Sequence, residues 1–136
     1  MEKIFIRFTI KGDDLDLHEI SESISVQADL YVKGNDVPRK FESQKPMIQK
    51  TNRWVYSIES KNNENLNRIL KRLIKNLNPW LNEINRYTKK YQSLLDIVIY
   101  TNTEEPLSRY NIKLSKTSLK NICKLNTPFS LTVFDW

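Results

Sequence analysis

Residues 3–21 read KIFIRFTIKGDDLDLHEIS, and the hydrophobic pattern changes period in the middle. Ile4, Ile6, Phe8 and Ile10 alternate with Lys3, Phe5, Arg7 and Thr9. Period two marks a strand with one buried face. Past Gly12, which supplies freedom to turn, the alternation stops. Asp16 then stands as an N-cap, with Glu19 three residues on to complete a capping box. Leu15 and Ile20 are placed to close a hydrophobic staple over that start, and Leu17, Ile20 and Ile24 share one face of a short helix over 17–25. A strand running directly into a helix opens the order of elements from which the α+β class follows.

The acidic run also contains the only histidine, so it has the outline of a metal or acid–base site. A calcium loop fails on order, because its glycine should follow the first aspartates and a glutamate should close it six positions later. Helix initiation accounts for the rest. Asp13 and Asp14 lie ahead of the positive end of the helix dipole and form a spare acidic pair. His18 is expected in solvent.

Working outward, residues 27–33 (QADLYVK) predict a weaker strand ending at Gly34. The stretch 33–52 holds Pro38 and Pro46 with little periodicity, long for an ordinary connection. RWVYSIES (53–60) predicts a strand with Trp54, Tyr56 and Ile58 on one face. Leu66, Leu70, Leu73, Leu77, Trp80, Ile84, Tyr87 and Tyr91 then recur at alternating four and three, a helical stripe. Pro79 predicts a kink or restart, with Asn78 as cap. Strands follow over 94–101 and 111–115, then a helix over about 116–125 burying Leu119, Ile122 and Cys123, then a strand over 129–136. The expected architecture is a single domain, 1–136, of order βαββαββαβ. It has a largely antiparallel sheet of about six strands, helices on one face and a ferredoxin-like core.

Size and charge narrow the function classes. The chain of 136 residues carries a net charge of +6 and a single cysteine, which suits a reducing cytoplasm. No apolar run approaches a membrane span or a signal peptide. Residues 61–136 hold 13 basic against 6 acidic side chains, so the positive charge is concentrated there, mostly as lysine.

Four stretches together resemble the bacterial family known as domain of unknown function 4279: IRFTIKGDDLDLHEIS, RWVYSIES, KLSKTSLKNICKL and the closing SLTVFDW. The resemblance runs from about Ile4 to Trp136, and Leu17 stands where members commonly have proline. It implies an α+β fold and no established activity.

With one histidine, one cysteine and two glycines, no metal cluster or phosphate cradle can be drawn, and no cofactor or metal is expected. The remaining enzymatic reading is a carboxylate-dependent hydrolase pairing Asp13, Asp14, Asp16 or Glu19 with Asp96 or Asp135. The favoured reading is a protein-binding module of inhibitor, immunity or adaptor type, monomeric or weakly dimeric. Its contact residues would be Arg39, Phe41, Met47 and Ile48 in the long loop, with Trp54 as an alternative anchor or a core residue. The alternative is nucleic-acid binding through Arg68, Lys71, Arg72 and Lys75 on the long helix.

Overall fold

At the middle of the sheet lies β1 (Glu2–Gly12), antiparallel to β3 (Asn52–Glu59) on one side and to β4 (Gln92–Thr101) on the other. This is a computed structural model that describes residues 2–35, 47–62, 64–102 and 111–135. β2 (Asp29–Tyr31) adds antiparallel to β3 at one edge, and β5 (Phe129–Asp135) adds parallel to β4 at the other. The order is β2-β3-β1-β4-β5, a mixed five-stranded sheet.

The alternation in β1 sets the two faces. Ile4, Ile6, Phe8 and Ile10 are completely buried and share a core with Trp54 and Tyr56 of β3 and Leu95, Ile97 and Ile99 of β4. Helices close that side. α1 (Leu17–Ser23) contributes Ile20; α2 (Leu66–Leu77) contributes Leu66, Ile69, Leu70, Leu73, Ile74 and Leu77; α3 (Leu81–Lys90) contributes Ile84 and Tyr87; α4 (Lys116–Cys123) contributes Ile122. The opposite face, carrying Lys3, Phe5 and Arg7, takes no part in this core.

The helix start proposed for Asp16 is present: its carboxylate accepts from the Glu19 amide at 3.0 Å, and Leu15 and Ile20 are buried beneath it. Glu19 does not complete the box. Its Oε1 accepts instead from the Tyr87 hydroxyl at 2.9 Å, joining α1 to α3. Burial raises the Tyr87 phenol above its ordinary value, and this bond to Glu19 adds to the shift. Asp16→Ala is expected to lower the unfolding free energy by about 1 kcal/mol in urea titration. A change of only a tenth or two would show that the cap does not hold the helix.

Gly12 has a different role from the one expected. A β-carbon there would stand 2.6 Å from the Tyr91 ring, so the glycine makes room for an aromatic side chain. Gly34 is the turn glycine, with φ of 89° in a turn closed by the Asn35 amide on the Val32 carbonyl.

Other expectations are corrected. Residues 111–115 form no strand, so the sheet has five strands rather than six; it is largely antiparallel, with β5 adding parallel to β4 and making it mixed. The ferredoxin-like core is accordingly met only in part, by the antiparallel run β2-β3-β1-β4. α4 buries Ser118, Asn121 and Ile122, with Leu125 just beyond it, whereas Leu119 and Cys123 are exposed. Its register is set by Asn67 of α2, whose Oδ1 accepts from both the Ser115 amide and the Ser118 hydroxyl. The break at Pro79 is a 3-10 turn, Asn78–Trp80, in which Asn78 is the first helical residue and the C-cap of α2 rather than the N-cap of the restart.

Candidate functional site

On the face of the sheet away from the helices, odd-numbered β1 residues stand beside even-numbered residues of β4 and β5. Register alone brings Lys3, Tyr100 and Phe134 into one row, Phe5, Val98 and Thr132 into the next, and Arg7, Asp96 and Ser130 into a third. Lys3, Phe5, Arg7, Asp96, Val98, Tyr100 and Phe134 line a shallow concavity of about 600 Å³. Phe5 meets Tyr100 edge-on at 5.7 Å between centroids, and Tyr100 lies near-parallel to Phe134 at 5.4 Å. These three rings form a diagonal ladder from the middle of the sheet to its β5 edge. Phe134 is 46% exposed at its end.

Charges flank the ladder. Lys3 sits over the Phe5 ring at 5.2 Å and pairs with Glu59 at 3.0 Å. Asp96 is held by the Ser130 hydroxyl, which donates to its Oδ1. Arg7, opposite Asp96 in the register, is exposed, and its side chain makes no hydrogen bond or ion pair with any of the described residues. A smaller concavity of about 90 Å³, lined by Thr9, Lys11, Arg53, Ser93, Leu94 and Asp96, adjoins the first. The Arg53 Nε there is buried and meets no acceptor among the described residues.

The β2 edge offers a second surface. Leu30, Val32, Met47 and Ile48 are all exposed large apolar side chains, Ile48 at 62%. Backbone bonds from Gly34 to Gln49 and from Gln49 to Asn35 bring the two segments together. Asn52 fixes the group to the body of the protein, accepting from the Lys33 amide at 2.7 Å and donating to the Leu15 carbonyl at 3.0 Å.

The residues singled out in the sequence separate under this geometry. Met47 and Ile48 are on the surface as a binding role requires. Arg39 and Phe41 lie outside the described residues. Trp54 is completely buried, which removes it as an anchor. On α2, Arg68, Lys71 and Lys75 are exposed, but Arg72 is engaged: its Nε and Nη2 bond the Glu64 carboxylate at 3.0 and 2.8 Å, and Nη2 also bonds the Glu59 carbonyl. Glu64 is held below its ordinary value, first by that hydrogen bond. Asp13 is half of a long ion pair with Lys33 at 3.7 Å, and the Asp14 carbonyl accepts from the Tyr91 hydroxyl. His18 pairs with Glu22 one turn along the exposed face of α1. Asp96 lies on the open sheet, away from the α1 start, so the two carboxylate groups are not brought together. Among the described residues no three of His, Cys, Asp and Glu form a group able to hold a metal ion. No helix among them is long and apolar enough to cross a membrane.

The sequence model of a family described as Domain of unknown function (DUF4279) matches residues 2–136. Neither the curated proteins nor the solved structures contain a match to the chain.

Proposed function

We propose that this chain, which belongs to the family of domain of unknown function 4279, is a protein-binding module presenting its β2 edge to a partner in the cytoplasm. The observation that carries this reading is the group of four exposed apolar side chains, Leu30, Val32, Met47 and Ile48, beside an edge strand of three residues. Single exposed apolar residues are ordinary on a protein surface, but several on two segments tied together by backbone bonds favour an interaction site. An edge strand also offers unpaired backbone groups, so a partner segment can extend the sheet while its side chains meet the apolar group. An inhibitor, immunity protein or adaptor uses a surface of this kind.

The test is capture from the native cells with parent protein and with the Met47→Asp/Ile48→Asp double variant. Both positions are exposed, so the fold should persist, as circular dichroism would verify. The parent is expected to retain one stoichiometric protein, and the variant to lose it at least about tenfold, the penalty of burying an unpaired charge at an interface. Equal retention by both proteins would rule out this surface.

A further inference from the structure

We infer that the open face of the sheet binds single-stranded nucleic acid, a base resting on the Phe5–Tyr100–Phe134 ladder and phosphates lying toward Arg7, Lys11 and Arg53. This surface is separate from the β2 edge and does not depend on the protein-binding reading.

Three features of the face fit three parts of a nucleotide. Aromatic rings across adjacent strands give a π surface on which any base can stack, and Phe134 leaves one end of the ladder open. Asp96, oriented by Ser130, is an acceptor beside that surface, suited to the exocyclic amine of cytosine. Lys3 is paired with Glu59, but two other cations on this face lack an anion among the described residues. Arg7 has no partner among the described residues, and Arg53 has a buried Nε without an acceptor. Arg53 also stands directly opposite Lys11 in the β1–β3 register. Like charges so placed repel, and an anion between them relieves the repulsion.

Spacing favours a strand over a free nucleotide. Phe5 and Lys11 are six residues apart on β1, about 20 Å at the rise of a strand, well beyond one nucleotide. A duplex fits poorly, because its bases are stacked on one another and cannot lie on the ladder. A peptide adding to the sheet would use an edge, since the ladder hydrogen bonds within the sheet are already made.

The experiment is fluorescence anisotropy with labelled oligodeoxycytidine of about a dozen nucleotides, within the usual site size, at low salt and then over a salt series. Oligodeoxythymidine, a duplex of equal length and cytidine monophosphate are the comparisons. Binding is expected to weaken as salt rises, and to prefer single strands over duplex and cytosine over thymine. Phe134→Ala should weaken it roughly 5- to 150-fold, the range for loss of one base stack. Phe134→Leu, which keeps apolar bulk without the π face, should behave alike. Arg7→Gln should weaken binding and reduce the salt dependence, and Asp96→Asn should erase the cytosine preference. Lys71→Glu/Lys75→Glu and Met47→Asp/Ile48→Asp should leave oligonucleotide binding unchanged. No binding at low salt would overturn the inference. So would duplex bound as tightly as single strand, cytidine monophosphate bound as tightly as the oligonucleotide, or binding lost with the α2 lysines and kept in Phe134→Ala.

Discussion

Replacing Trp54 by alanine is expected to lower the unfolding free energy by about 3–5 kcal/mol, a large share of the roughly 5–15 kcal/mol that holds a domain folded. The indole is completely buried, edge-on to Phe8 at 5.9 Å and near-parallel to Tyr56 at 6.5 Å. In register it lies between Ile10 of β1 and Leu30 of β2, so its removal opens the core where the sheet approaches its edge. Trp54→Phe sets two effects against each other. The smaller ring leaves a void, but the indole N–H that disappears is buried without an acceptor among the described residues. An unpaired buried donor costs about 1–3 kcal/mol, which offsets much of the packing loss. The phenylalanine variant should therefore lie within about 1.5 kcal/mol of the parent. Urea unfolding followed by circular dichroism measures both. An alanine variant within 1 kcal/mol of the parent would show that the ring does not support the core.

Local patterns in the sequence carried the elements whose stability is local or one-faced. Period two in β1 and the four-three stripe of α2 and α3 each state which side is buried, and both sides are buried as read. Segment 111–115 has the same alternation but no strand. Its backbone bonds to a side chain instead, the Lys113 carbonyl accepting from Asn67 Nδ2 and the Ser115 amide donating to Asn67 Oδ1. Alternation reports a buried face, and α2 supplies that face here for Ile112 and Leu114, both packed against the core. The exposure of Cys123 has a related cause. A helix of eight residues spans two turns, so one hydrogen-bonding asparagine on a neighbouring helix is enough to rotate its buried face.

The open face was least legible, for a reason that lies in the register. Phe5, Tyr100 and Phe134 are distant in sequence, and each occupies the side of its strand opposite the core. One apolar residue on an outer face means little alone. Three of them become a surface only after β1, β4 and β5 are aligned, and the parallel β4–β5 pairing that sets Tyr100 beside Phe134 was not foreseen. The available signal was an aromatic on the solvent parity of three separate strands. By contrast, the exposure of Met47 and Ile48 is legible in the sequence, where apolar residues lie among charges in a proline-containing loop.

Arg72→Gln is expected to lower stability by about 1.5–3 kcal/mol near neutral pH and to flatten its dependence on acid. Lys71→Gln, one residue away and exposed, should stay within about 0.5 kcal/mol of the parent. The contrast follows from the partners. An exposed ion pair is worth about 0.2–1 kcal/mol. The Arg72 side chain, however, is only 23% exposed and that of its partner Glu64 13%. It bonds both Glu64 oxygens and the Glu59 carbonyl, closing the connection between β3 and the start of α2. Removing it leaves Glu64 Oε2 without that donor in a part-buried site, while Oε1 keeps only the Lys61 amide. The acid response follows from the same bond. Hydrogen bonding to Arg72 lowers Glu64 from its ordinary value of 4.5, and burial opposes the shift. Because the folded chain holds this proton less tightly than the unfolded chain, acid favours unfolding. The contribution is complete above 4.5 and disappears as pH falls through the lower, folded value. In Arg72→Gln, Glu64 returns toward its ordinary value and that part of the acid loss vanishes. Urea titrations near pH 7 and at successive steps below pH 4.5 compare the two proteins across the window. Parallel losses in parent and variant would show that the Arg72–Glu64 pair does not set the acid limit of the fold.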